Sequence, residues 1–181
     1  MSKKILICGF SGAGKSTALT LIRDWDQEGR LTVIQDLDDL ILKNSKPKMK
    51  TLAELIEHLG WEEFRKRERQ AFESFLKEES PAVLALGGGT LTPMLWELYG
   101  SSRSLKWVHL EAPFEICLER LKLDSEQEPR PLLKLGEMEL RRIYQERQTI
   151  FGKVGTRWNN KGTIGELRSQ VVTFLEEFFH T

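Results

Sequence analysis

The run Gly9-Phe10-Ser11-Gly12-Ala13-Gly14-Lys15-Ser16-Thr17 stands between a short apolar stretch and a helical pattern. Its spacing, G-x-x-x-x-G-K-[ST], is that of a loop that wraps backbone N–H groups around phosphate oxygens. Gly12, Ala13, Gly14, Lys15, Ser16 and Thr17 are therefore read as nucleotide-binding. The helix N-terminus adds partial positive charge, Lys15 reaches the outer phosphates, and the Ser16 hydroxyl can ligate Mg²⁺. The strand before and the helix after favour this reading over a glycine turn that is merely structural. The loop points to a nucleotide without naming a reaction.

Further along, Gln35-Asp36-Leu37-Asp38-Asp39 lies where a second strand should end. Ligands of open α/β sheets collect at that edge, so Asp36 and Asp38 should face the same crevice as Lys15. Phosphoryl transfer needs a metal shell and a group that orients or deprotonates the acceptor hydroxyl, which two carboxylates can share. An acidic helix start that favours the macrodipole remains the alternative. Arg65 and Glu68 lie three residues apart on one helix face and can pair, presenting a guanidinium suited to capturing a carboxylate. A solvated, charge-laced helix is the other reading. Gly87, Gly88 and Gly89 close an apolar run, and three consecutive glycines imply close approach of backbone to a ligand. Arg130 opens Arg130-Pro131-Leu132-Leu133, and Arg147 sits beside Glu146 in a helical stretch.

The elements that must position these groups alternate along the chain. Near-continuous apolar runs predict strands at Lys4–Cys8, Leu31–Gln35, Ala82–Leu86 and Leu105–Leu110, with a fifth near Val154–Trp158. Helical periodicity covers Ser16–Asp26, Glu62–Glu79, Phe114–Leu121, Glu137–Phe151 and Thr163–Phe179. This alternation predicts an α/β fold, a parallel sheet of about five strands with helices on both faces. Lys43–Lys50 and Lys122–Glu128 are polar and read as loops.

With 181 residues the chain fits one domain. Lys plus Arg equals Asp plus Glu at 27 each, so the basic excess expected of a nucleic-acid binder is missing. Its two cysteines, Cys8 and Cys117, lie in no metal-ligand spacing and suggest no disulfide framework. Met1-Ser2-Lys3-Lys4 runs into only four apolar residues, too few for a signal peptide or membrane span. The expectation is a cytoplasmic protein that engages neither membrane nor nucleic acid. His58, His109 and His180 have no ligand-spaced neighbours, and the tryptophans read as core or pocket wall.

Taken in order, GFSGAGKST, DLD, G-x-x-x-FRKRE, ALGGG, RPLL and ERQTIF resemble shikimate kinase over most of the chain. The resemblance implies a three-layer, nucleoside-monophosphate-kinase-like P-loop fold with a mobile lid. It implies a single kinase domain over 1–181, a substrate-binding helical segment over about 37–79 and a lid over about 122–131. The implied reaction takes ATP and shikimate to ADP and shikimate 3-phosphate, within aromatic amino-acid biosynthesis, with Mg²⁺ and a monomeric enzyme. Ser16 and Asp36 would serve the metal, and Asp38 would hydrogen-bond the shikimate hydroxyls as base or orienter. Arg65 and Arg147 would hold the shikimate carboxylate, Glu68 would fix that pocket, and Gly87 to Gly89 would lie along the ring. Arg130 would reach substrate or transferring phosphoryl from the lid base, joining Lys15 in catalysis and nucleotide binding.

This sequence departs from the family pattern in places. Lys43–Lys50 replaces a short T-G-x-S-I-like stretch and reads as a solvated loop, with guidance of an anionic substrate as the rival idea. Trp61 stands where the family often has Glu, and Asp124–Glu128 makes the lid acidic. Arg120 or Lys122 would supply the lid's extra cation, and Asn159–Thr163 would lie near the nucleobase. Two rival readings remain: a kinase of another hydroxylated metabolite such as gluconate, and a nucleotide-binding module without catalysis.

Overall fold

The computed structural model describes residues 3–125 and 131–180. Its framework is a five-stranded, all-parallel sheet: β1 (Lys4–Cys8), β2 (Val33–Asp36), β3 (Ala82–Ala85), β4 (Leu105–Glu111) and β5 (Thr156–Asn159). The strands lie in the order β2-β3-β1-β4-β5. Strands β1 and β3 are buried at every position, as their unbroken apolar runs require of strands covered on both faces.

Among the described residues seven α-helices fill the connections: α1 (Lys15–Trp25), α2 (Leu37–Lys43), α3 (Leu52–Leu76), α4 (Pro93–Tyr99), α5 (Phe114–Ser125), α6 (Glu137–Phe151) and α7 (Ile164–His180). One face of the sheet packs on α1 and α7 through Leu19, Ile22, Val171 and Leu175. The other packs on α2 to α6 through Ile41, Phe72, Leu95, Cys117 and Phe151. The chain lays β2 and β3 to one side of β1 and then crosses to β4 on the other. A crevice therefore opens above the C-terminal end of β1, where the glycine loop stands.

The sequence boundaries need several corrections. The second strand starts at Val33 rather than Leu31, and Asp36 is both its last residue and the cap of α2. Helix α3 begins at Leu52, ten residues before the expected start, with Thr51 accepting a hydrogen bond from the Glu54 amide as its cap. Gly60 (φ 77°, ψ 160°) breaks the helical path between two arms. That positive φ, unfavourable for a residue with a side chain, explains why periodicity is visible only beyond it. Phe64, Glu68, Phe72 and Phe75 are buried on one face of the second arm. Helices α2 and α4, seven residues each, are too short for a periodic signal. Lys122–Ser125 belongs to α5 rather than to the polar loop expected over Lys122–Glu128, because Phe114, Cys117, Leu118 and Leu121 anchor that helix at helical spacing. The rest of the expected lid up to Arg130 lies outside the described residues. Lys43–Lys50 departs from helix after Lys43, as expected of a loop.

Candidate active site

The glycine loop joins β1 to α1 in a conformation that its glycines make possible. Gly12 (φ 81°) and Gly14 (φ 95°) lie in the left-handed region. A β-carbon on Gly12 would come within 2.4 Å of the Cys117 carbonyl oxygen, and one on Gly14 within 2.3 Å of Asn160 Nδ2. The loop is braced from behind, since buried Asn160 donates from Nδ2 to the Ala13 carbonyl at 2.7 Å. Arg120 Nη1 lies 3.4 Å from the carbonyl oxygens of Gly12 and Ala13. With its carbonyls held on that side, the loop can present N–H groups to an anion.

Lys15 Nζ donates to the carbonyls of Gly9 (3.0 Å) and Phe10 (3.1 Å). Burial pushes its pKa down, against the pull of Asp36 and Asp38. The Ser16 hydroxyl donates to Asp36 Oδ2 at 3.3 Å, while Asp36 Oδ1 accepts from the Asp38 amide at 3.0 Å. Asp36 thus orients the start of α2 and meets Ser16 at the same point. Asp36 therefore caps a helix and also faces the phosphate loop. Asp38 is pushed up to about 7, chiefly by burial and next by the Asp36 charge, with Lys15 opposing.

Ser16 and Asp36 supply neighbouring oxygen donors suited to a hard cation. Among the described residues no group of three or more His, Cys, Asp or Glu side chains could hold a metal. A Mg²⁺ ion that keeps water and phosphate oxygens as most of its ligands fits this donor set; a protein cage does not.

Across the cleft, Arg65 Nη1 bonds Glu68 Oε2 at 2.6 Å, and the Thr90 hydroxyl donates to Glu68 Oε1, also at 2.6 Å. Arg147 approaches from α6, and its buried Nη1 has no hydrogen-bond partner among the described residues. Burial and the nearby Arg65 charge lower the Arg147 pKa to about 10. The triple glycine lies between these groups. A β-carbon on Gly89 would stand 2.9 Å from Arg65 Nη2 and 2.9 Å from Arg147 Nη2. One on Gly87 would stand 2.9 Å from both Asp38 Oδ1 and Glu68 Oε1, and one on Gly88 would press on Ser11 of the phosphate loop.

Apart from Ala13, which is buried and does not line it, the described residues expected to act together share one cleft of about 580 Å³. Gly12, Gly14, Lys15, Ser16 and Thr17 line it, as do Asp36, Asp38, Arg65, Glu68, the three glycines and Arg147. Arg130 lies outside the described residues. Leu52, Ile56, Trp61 and Phe64 form an apolar wall from both arms of α3. Sequence reasoning missed Thr90, Ser11 and the brace from Asn160. Thr90 had one available signal, its place directly after the triple glycine. Asn160 had none, because its role depends on a contact 147 positions away.

A glycine phosphate loop on the central strand, an acidic pair where β2 passes into α2 and helices on both faces define a nucleoside-monophosphate-kinase-like P-loop kinase. The sequence model of the family described as SKI: Shikimate kinase matches residues 11–176. This chain belongs to the shikimate kinase family and is an ATP-dependent phosphotransferase with an alcohol acceptor. A shikimate kinase of Francisella tularensis subsp. holarctica is 33% identical over 180 residues, covering 97% of this chain and 96% of that protein. A solved shikimate kinase from Acinetobacter baumannii, in complex with shikimate, superposes with TM-score 0.77 at 25% identity. It covers 99% of this chain and 94% of its own. A gluconokinase from Sinorhizobium meliloti 1021 shares the fold at TM-score 0.56 and 15% identity, covering 98% of this chain and 96% of its own. No described helix is long and apolar enough to cross a membrane.

Proposed function

We propose that this chain transfers the γ-phosphoryl group of ATP to a hydroxyl of shikimate, giving ADP and shikimate 3-phosphate. The observation that carries the reading is the pair of guanidiniums flanking Gly89, one with a buried donor that no described residue accepts from, in the same cleft as Lys15 and Asp38. Two such cations fit a carboxylate, which accepts from both. The substrate ring then lies along Gly87 to Gly89, where side chains would take its place. Its far end meets Asp38, whose carboxylate neighbours Gly87.

Asp38 orients the acceptor hydroxyl and takes its proton. As that oxygen bonds to the γ-phosphorus, the bond from phosphorus to the bridging oxygen breaks and ADP leaves. A carboxylate whose pKa stands near 7 is matched to this task at neutral pH. Lys15 exchanges the Gly9 and Phe10 carbonyls for phosphate oxygens, and the N–H groups of Gly12 to Thr17 hold the remaining charge. Ser16, with Asp36 beside it, would hold Mg²⁺, which would supply further charge neutralisation on the phosphates. Arg130 is assigned, on the family resemblance alone, to the transferring phosphoryl group from a lid over about 122–131. Residues 37–79 form the substrate-binding segment of one kinase domain. The enzyme works as a monomer in the cytoplasm, a setting that suits the free thiols of Cys8 and Cys117.

Coupled detection of ADP tests the reading, using ATP and Mg²⁺ with shikimate, with gluconate and with neither. Shikimate-dependent turnover well above both other arms is expected. Equal rates with and without shikimate, or faster turnover with gluconate, overturn the assignment.

A further inference from the structure

We infer that Thr90 is a positioning residue for recognition of the substrate carboxylate, acting through Glu68 on Arg65; this rests on the shikimate reading above. Glu68 is only 4% exposed. A carboxylate so buried needs donors at both oxygens, because an oxygen cut off from water and left unbonded carries a desolvation penalty. The structure supplies them from two directions: Arg65 Nη1 at Oε2 and the Thr90 hydroxyl at Oε1, both at 2.6 Å. Arg65 is itself 41% exposed in its side chain, so the fixed end of this pair is Glu68 and the adjustable end is the arginine.

The local backbone explains how Thr90 comes to be there. The Thr90 amide donates to the Gly87 carbonyl at 3.1 Å, a tight turn that folds the side chain back beneath the triple glycine. Thr90 is 7% exposed, and its hydroxyl lies 2.9 Å from where a β-carbon on Gly87 would stand. This is the same crowded point that Asp38 Oδ1 and Glu68 Oε1 reach. Thr90 thus ties the strip beneath the substrate ring to the arginine that grips the acid. The hydroxyl must donate here, since an ionised carboxylate can only accept.

The relay also bears on the second arginine. Arg65 and Arg147 both approach Gly89, and the Arg65 charge disfavours the charged form of Arg147. The Glu68 carboxylate offsets that repulsion until a substrate carboxylate arrives. Its direction, fixed by Thr90, keeps Arg65 drawn toward Glu68 and leaves the Arg147 Nη1, which bonds none of the described residues, for the ligand. Without the hydroxyl, Oε1 has no donor from Thr90 and the carboxylate loses one of its two fixed bonds.

The test compares the unmodified protein with Thr90→Val and Thr90→Ser, measuring KM for shikimate, KM for ATP, kcat and thermal midpoint for each. Thr90→Val keeps the volume and removes the donor; Thr90→Ser keeps the donor. For Thr90→Val the expected result is a rise in KM for shikimate of about tenfold, with KM for ATP changed less than about twofold and kcat reduced far less than KM rises. Thr90→Ser should recover most of the lost affinity. A merely structural role predicts parallel loss with both substrates in proportion to the fall in thermal midpoint, and no recovery by serine. Either of these results, or an unchanged KM for shikimate in Thr90→Val, overturns the inference. Calorimetric titration of shikimate into each variant extends the test to any variant too slow to assay. An unmodified protein that neither binds nor turns over shikimate would instead remove the functional reading itself.

Discussion

Asp38 carries the sharpest residue-scale consequence, because its pKa near 7 puts the proposed base in mid-titration at neutral pH. The working form is the carboxylate, so activity belongs to the high-pH side and falls as pH drops through about 7. A kcat/KM profile for shikimate should approach a tenfold loss per unit below that point. A profile flat from pH 8 to 5 would remove Asp38 as the base. Asp38→Asn should lower kcat by about 10²- to 10⁴-fold while nucleotide still binds. Arg65→Ala should raise KM for shikimate by about 10- to 100-fold, the range for a hydrogen bond to a charged group, with far less effect on KM for ATP. Equal effects on both substrates would place Arg65 in the wrong pocket. The residue types at this site were legible because a phosphate loop fixes local spacing and paired charges share a helix face. Thr90 was not, since its hydroxyl matters only through a bond to a residue 22 positions away.

Two adjacent glycines separate the functions of the loop that follows β3. A β-carbon on Gly88 meets the Ser11 backbone nitrogen at 2.9 Å, so the phosphate loop itself must move to admit it. On Gly89 the same carbon meets only the guanidinium tips of Arg65 and Arg147. Gly88→Ala should therefore weaken ATP and shikimate together, whereas Gly89→Ala should weaken shikimate alone. Paired titrations of each variant with both ligands make the comparison, and identical patterns would show that the two glycines are not divided in this way. At Gly60 the surroundings are open but φ is 77°. Gly60→Ala should cost about 1–3 kcal/mol in urea unfolding from backbone strain alone. Elements with long apolar or periodic stretches were visible in the sequence, such as β1 and α6. The kinked start of α3 was not, because Gly60 interrupts the periodicity that would have joined its two arms.

At the scale of the whole molecule, the sheet order decides that residues from the loop after β1, from α1, the end of β2, α2, α3, α6 and the loop after β3 meet over one edge. Strand–helix alternation makes the parallel sheet legible from sequence, but the packing of individual side chains against it is not. His109 illustrates this, since nothing local marks it as buried against Phe151 with its ring stacked at 4.9 Å. Burial holds its pKa down at about 4, whereas in the unfolded chain a histidine takes its proton near 6.5. The folded state therefore gains from neutral His109 above about pH 6.5 and loses that gain as pH falls toward 4. His109→Phe should show a smaller drop in thermal midpoint than the unmodified chain between these values. Asp38, with its raised pKa, acts in the opposite sense but is common to both proteins, so the difference isolates His109. An unchanged drop would place the acid sensitivity elsewhere.

The most direct test of the site as a whole is a crystal structure of the protein with ADP, Mg²⁺ and shikimate. The shikimate carboxylate should lie within hydrogen-bond reach of both Arg65 and Arg147, with a ring hydroxyl at Asp38 and the diphosphate in the loop from Gly12 to Thr17. Shikimate bound away from the two arginines, or with no hydroxyl facing Asp38, would contradict the account.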